Sequence, residues 1–134
     1  MTKEEFGRLK ELNHGLTDAE ERIARLKSHA ESTTAILTGM PADHNPLKSK
    51  VADSIAKLYD AANEMEQMRL EQLMLKNKLA LEASRLPSFQ AQLLTMRYID
   101  ETSMHEIARV LKCPVGKLFY LHRKAVKLLL ELKN

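Results

Sequence analysis

Basic side chains are concentrated in the last third of this chain, where they could bind a polyanion. From Arg85 onwards, nine Lys and Arg residues stand against four Asp and Glu residues, which gives a net charge of +5. The whole chain carries +3, so the residues before Arg85 carry −2. Clustered cations of this kind bind the phosphates of nucleic acids. The charge distribution therefore favours a nucleic-acid-binding module in the last third of the chain.

Other residue patterns give little support for metal binding or catalysis. Zinc needs three or four converging ligands, yet the five histidines show no His-x-x-x-His spacing, and Cys113 and His122 are nine residues apart. No neighbouring base is indicated for Cys113, so a half-buried turn position explains it better than a nucleophile does. The four glycines are scattered and form no phosphate-binding loop. We therefore expect no metal, no cofactor and no catalytic residues.

Two short amphipathic segments, joined by residues 112–115, contain most of these basic residues. Ser103 and Glu106 form the Ser-x-x-Glu pattern that caps the start of a helix. Pro114 opens the second segment, since proline suits the first turn of a helix. The positions expected to be buried are Ile107, Ala108 and Leu111 in the first helix and Leu118, Leu121, Ala125 and Leu128 in the second. This layout is typical of a helix-turn-helix, whose second helix enters the major groove of DNA.

The first forty residues carry a heptad repeat, which predicts one long helix over residues 3–40. Gly15 weakens its middle, and residues 17–20 could cap a restarted helix. The heptad phase continues across Gly15, so a single helix is favoured. The apolar positions of this repeat that are expected to mediate oligomerisation are Leu9, Leu12, Leu16, Ile23, Leu26 and Leu37.

A second long helix is predicted over residues 47–85, after a loop at residues 39–46 that contains a glycine and two prolines. The apolar positions of this helix follow a 4-3 spacing at Val51, Ile55, Leu58, Ala62 and Met65. A helix of this length would measure about 55 Å, too long for so short a chain to wrap a core around it. We therefore expect the two long helices to pack as an antiparallel, coiled-coil-like hairpin that leaves apolar surface for a partner. Three methionines of this helix are best explained as core residues or as part of an interface with a partner: Met65, Met68 and Met74.

Pro87 marks the boundary between two regions, because proline is not tolerated inside a helix. The sequence thus predicts a hairpin and oligomerisation region over residues 1–86 and a helix-turn-helix domain over residues 87–134. The first helix of the second region should start at residue 87 or 88 and run to about Tyr98. Helix-forming residues dominate the composition, so the fold class is expected to be all-α. With a single cysteine, no apolar run of membrane-spanning length and no signal peptide, the protein is expected to be cytoplasmic.

The C-terminal motifs resemble a known family. Arg97-Tyr98, Glu106-Ile107-Ala108 and Lys124-Ala125-Val126 stand at offsets similar to those of the C-terminal promoter-binding domain of bacterial sigma factors. Nearly the whole chain is similar to phage and prophage sigma-like regulators, the family that contains the ArpU and RinA late-gene activators. This second resemblance rests on Leu94-x-x-Arg97-Tyr98-Ile99, Glu106-Ile107-Ala108, Tyr120-x-His122-x-x-Ala125 and the stretch from Ser32 to Pro41.

The resemblance implies a DNA-binding transcriptional regulator. The heptad seams of the long helices are expected to assemble a homodimer or higher oligomer, or to dock onto another protein such as RNA polymerase. We expect five basic residues to neutralise phosphates of double-stranded DNA: Arg109, Lys112, Lys117, Arg123 and Lys124. Val115, Gly116, Phe119 and Tyr120 are expected to face or flank the groove. Sigma factors present Arg and Glu at the corresponding surface, whereas this chain presents mainly apolar residues there.

Two other classes of protein fit the same pattern. A DNA-packaging recognition subunit of a phage, similar to a small terminase, also joins a helix-turn-helix to oligomerising helices, and it would form a ring larger than a dimer. A protein-interaction module with a degenerate helix-turn-helix would explain the apolar start of the last helix. The oligomer order separates the first class from a dimeric regulator, and DNA binding separates the second.

Overall fold

A computed structural model describes residues 1–37 and 46–132 of the chain, and within these ranges every regular element is helical. The elements are α1 (Lys3–Leu37), α2 (Pro46–Ala83), α3 (Ser88–Leu94), a π-helical segment (Thr95–Ile99), α4 (Met104–Leu111) and α5 (Val115–Glu131). The all-α prediction is confirmed. The predicted loop at residues 39–46 lies outside the described residues except for Pro46, which begins α2. None of the described helices combines the length and the apolar character that crossing a bilayer requires.

The chain divides into two compact units, and each is described by itself. Unit 1 comprises Met1–Asn13 and the chain from Glu71 onwards, and unit 2 comprises His14–Leu70. This division differs from the boundary expected at residue 86. The physical reason is that Leu9 of α1 and Leu79 of α2 belong to the same buried core as the residues of α3 to α5.

In unit 1 the start of α1 packs antiparallel on the end of α2. Lys78 Nζ donates a hydrogen bond of 2.7 Å to Glu5, and Arg8 Nε donates one of 2.8 Å to Glu71. The ammonium of Lys78 lowers the pKa of the Glu5 carboxyl to about 2. Thr2 caps this end of α1, because its Oγ1 accepts a hydrogen bond of 3.1 Å from the Glu5 N–H. The two long helices therefore pack against each other, as expected for the hairpin.

Aliphatic side chains that α3, α4 and α5 direct inwards form a large part of the core of unit 1. Leu93, Leu94, Ile107, Leu118 and Leu129 are fully buried. The prediction for Leu128 was wrong, because its side chain is 38% exposed and the next residue takes the buried position. Leu118, Ala125 and Leu129 are seven and four residues apart, a spacing that keeps them on one face of α5.

The α1 leucines expected to mediate oligomerisation are already covered within one chain. Leu9 and Leu12 in unit 1 are fully buried, and Leu16 in unit 2 is almost so. A side chain packed inside its own chain offers no surface to a second copy, so these three stabilise the hairpin instead. Ile23 and Leu26 in unit 2 are half-buried, and the side chain of Leu37 lies outside the described residues.

In unit 2, α1 passes through Gly15 as an unbroken helix, so the favoured single helix is confirmed. Glu20 does not cap a new helix start but accepts a hydrogen bond of 3.2 Å from Arg69 of α2. The predicted seam of α2 was wrong at two positions. Ile55 and Ala62 are exposed, and the preceding residues Ser54 and Ala61 are buried in their place.

Candidate nucleic-acid interface

Helices α4 and α5 are joined by a tight turn whose geometry follows from local capping. Ser103 Oγ accepts a hydrogen bond of 3.3 Å from the Glu106 N–H, which confirms Ser103 as the predicted cap at the start of α4, while the Glu106 carboxylate binds Arg109 instead of returning to the Ser103 N–H. At the end of α4, Lys112 adopts the left-handed conformation, with φ 52° and ψ 49°. The Cys113 N–H donates to the Ala108 carbonyl at 3.0 Å and so closes a Schellman-type cap. Glycine is the usual residue at such a position, since any other side chain costs roughly 1 kcal/mol there.

The outward face of α5 carries most of the residues predicted to contact DNA. Leu118 and Ala125 fix the buried side of the helix, and Val115 is half-buried. The exposed residues between Val115 and Lys127 are Gly116, Lys117, Phe119, Tyr120, Arg123, Lys124 and Lys127, and Leu128 and Glu131 follow them. The expectation that Tyr120 points outwards rather than into the core is confirmed, because 51% of its surface is exposed.

Of the five basic residues predicted to contact phosphates, four form no ion pair within the described part of the chain, and the fifth does. Within the described part of the chain, no carboxylate forms an ion pair with Lys112, Lys117, Arg123 or Lys124. The exposed Arg109 guanidinium instead binds the Glu106 carboxylate of the same helix through two hydrogen bonds, one of them 3.0 Å long. A phosphate would therefore compete with Glu106 for Arg109, whereas the other four cations have no carboxylate partner among the described residues to leave.

Tyr120 lies beneath one of these cations. Lys124 Nζ is 5.2 Å from the centroid of the Tyr120 ring, within the range of a cation–π contact. The two residues are four apart in the sequence, which places them on the same face of a helix. This contact holds the aromatic ring and the ammonium next to each other on the surface of α5.

A buried aromatic and polar cluster lies behind α5 and fixes its orientation within unit 1. Tyr98 Oη and His122 Nε2 are joined by a hydrogen bond of 2.6 Å, and the edge of the Phe6 ring packs on Tyr98 with centroids 4.8 Å apart. Asn13 Nδ2 donates to the Tyr98 carbonyl at 3.1 Å, and Gln72 Nε2 donates to Asn13 Oδ1 at 2.7 Å. His122 is therefore held by a neighbouring helical segment of unit 1.

The sequence analysis missed Tyr98 as the residue that ties α5 to the hairpin. A continuous α-helix had been expected up to this tyrosine, but Thr95–Ile99 is π-helical, and the Asp100 N–H donates to the Thr95 carbonyl at 3.0 Å. A π-helical turn shifts the side-chain register by about one residue. The Arg97-Tyr98 pair was noticed only as a motif, and nothing in its local pattern indicated a hydrogen bond to His122.

The folded protein is expected to be less stable in mild acid because of the lowered pKa of His122. Burial, followed by the nearby charges of Arg97 and Lys10, lowers this pKa below its ordinary value of 6.5. At higher pH the His122 imidazole is neutral in both the folded and the unfolded protein. As the pH falls through 6.5, the unfolded chain binds a proton at this residue before the folded chain does. The free energy of unfolding should therefore drop as the pH falls below 6.5 and level off below the folded-state pKa. Urea unfolding at a series of pH values measures this drop, and the His122→Gln variant should lack it. An equal drop in both proteins would contradict the assignment to His122.

Comparison of the chain with protein-family models, with curated proteins and with solved structures finds no match. The resemblance to sigma-like regulators accordingly rests on the motifs within this sequence alone.

Proposed function

We propose that this protein is a DNA-binding transcriptional regulator, cytoplasmic and encoded by a phage or prophage, in which α4 and α5 act as a sigma-like helix-turn-helix. One observation carries the proposal: the outward face of α5 presents cations without acidic partners, together with two exposed aromatic rings. Surface cations on a helix are usually interspersed with acids, and α5 has none before Glu131. Such a face is complementary to the phosphate-lined major groove.

Within this proposal the residues divide into two groups. Lys112, Lys117, Arg123 and Lys124 bind phosphates and set the orientation of the domain on the duplex. The start of α5, from Val115 to Tyr120, lies against the base edges. Lys112 supports this division, because a lysine in a left-handed position costs stability that a glycine would not. No catalytic step belongs to this function.

Gly116 provides the experiment that tests the position of DNA at the start of α5. A Cβ added at Gly116 would meet no atom within 4 Å, and the same is true at Gly7 of α1. Both Gly116→Ala and Gly7→Ala should therefore raise the free energy of unfolding by about 0.5–1 kcal/mol. If DNA approaches the backbone at Gly116, only Gly116→Ala should also weaken duplex binding, by several-fold. Fluorescence anisotropy and urea unfolding of the two variants give both quantities. Undiminished DNA affinity in Gly116→Ala would contradict contact at this position.

We propose that the protein acts as a homodimer, with RNA polymerase as a second partner, and that the contact surface is on α2 rather than on the buried face of α1. In unit 1, the outward face of α2 exposes Leu73, Met74 and Leu81. In unit 2, α2 likewise exposes Ile55 and Tyr59. Exposed apolar side chains at this density are typical of protein interfaces. Light scattering separates a dimer from the larger ring of a packaging subunit, and a monomer at tens of micromolar would contradict self-association.

A further inference from the structure

The first two turns of α5 expose two aromatic residues, and the helix lacks the side chains that read two of the four bases. Phe119 is 48% exposed and Tyr120 is 51% exposed, with the open backbone of Gly116 one turn earlier. From Val115 to Lys127 the helix contains no Asn, Gln, Asp or Glu. Carboxamides pair with adenine and carboxylates accept from cytosine in the major groove, so this helix has no such reader for either base.

Resting on the proposed function, we propose that Phe119 and Tyr120 recognise the C5 methyl groups of thymine in the major groove. Thymine is the base that apolar side chains recognise, because its methyl group projects into that groove. The exposed rings supply the apolar surface, and the open position of Gly116 leaves room for the methyl groups to approach. Lys124, 5.2 Å from the Tyr120 ring centroid, supplies a cation beside the ring for the flanking phosphate.

Basic residues of α5 could read guanine, but the structure favours a phosphate role for them. Arg123 lies eight residues after Val115, more than two turns into the helix, whereas base contacts come mainly from the first turns of a recognition helix. Lys117 is on the same side of α5 as Lys124, two turns apart, which suits contacts along one phosphate strand. This leaves the aromatic pair as the main group facing the base edges.

Removal of the thymine methyl group tests this inference without changing the charge or the base pairing. The first probe is an alternating d(A-T) duplex, compared with the same duplex carrying uracil in place of thymine. The burial of one methyl group corresponds to about a fourfold change in affinity, so the wild-type protein should prefer the thymine duplex by at least fourfold. The second probe is an alternating d(G-C) duplex with and without 5-methylcytosine, which should bind more tightly when methylated.

Two variants assign the preference to the aromatic residues. Phe119→Ala combined with Tyr120→Ala should bind the thymine and uracil duplexes equally, and both side chains are exposed enough for the fold to survive. Lys117→Ala combined with Lys124→Ala should weaken binding to both duplexes and keep their ratio. Equal binding of the wild-type protein to the thymine and uracil duplexes would overturn the inference while leaving DNA binding intact. Failure to bind any duplex at low salt would overturn the proposed function, and the inference with it, in favour of a protein partner for these rings.

Discussion

Replacing Lys117 and Lys124 together by alanine should weaken binding to duplex DNA by on the order of 100-fold at about 50 mM salt. Each phosphate neutralised by a cation contributes ~0.9 to the dependence of log K on log salt concentration, which corresponds to roughly tenfold in affinity at this salt concentration. Both lysines are exposed and free of ion pairs among the described residues. The loss should be similar for all DNA sequences, because phosphate contacts carry no sequence information. Fluorescence anisotropy with several unrelated duplexes measures it.

Lys50 and Lys57 of α2 provide a matched control for this double variant. They are exposed, seven residues apart like the first pair, and lie in unit 2. Replacing them by alanine removes the same charge but should change DNA affinity far less. Both double variants should melt close to the wild-type temperature, since exposed lysines contribute little to stability. Equal losses of affinity from the two pairs would show that net charge matters and that α5 has no special role.

Leu118→Ala should lower the free energy of unfolding by about 2–5 kcal/mol, because Leu118 is one of the two fully buried leucines of α5. Its side chain is fully buried in the core of unit 1, so truncation removes apolar contacts and leaves a cavity. Leu128→Ala on the same helix should cost clearly less, on the order of 1 kcal/mol, because 38% of that leucine is exposed. Urea unfolding of the two variants measures the difference. A large loss in Leu128→Ala and a small one in Leu118→Ala would mean that α5 is rotated from the described orientation.

Local signals in the sequence predicted the features that depend on neighbouring residues. The Ser103–Glu106 cap, the start of α5 after Pro114 and the burial of Ile107 all follow from short-range rules of helix capping and periodicity. The outward direction of Tyr120 was expected from its place on the surface that corresponds to the groove-facing surface of sigma factors. These features need no knowledge of which other elements pack nearby.

Periodicity did not choose between adjacent apolar residues with equally good spacing. Leu128, Leu129 and Leu130 are consecutive, and packing in the core of unit 1 selects the second of them for full burial. In α2, two buried faces are compatible with the positions of Val51, Leu58 and Met65. One of these faces contains Ile55, and the other contains Ser54. The larger residue was chosen from the sequence, whereas the structure buries the serine.

Contacts between distant segments were beyond sequence reasoning for a different reason. Tyr98 and His122 are far apart in the chain, and their hydrogen bond depends on the π-helical turn and on the orientation of α5.

The pairing of Arg109 with Glu106, in contrast, is local and was visible in the sequence as a three-residue spacing on one helix. It bears on the site because it removes one cation from the predicted set of phosphate contacts.

The salt dependence of duplex binding by the wild-type protein is the most direct test of the central claim. Four free cations that each neutralise one phosphate predict a slope of about −3.6 for log K against log salt concentration, or about −4.5 if Arg109 leaves Glu106 to join them. Anisotropy of a labelled random duplex at several salt concentrations gives this slope, and Lys117→Ala with Lys124→Ala should reduce its magnitude by about 1.8. No binding at low salt, or an affinity that does not change with salt, would contradict a DNA-binding role for α5.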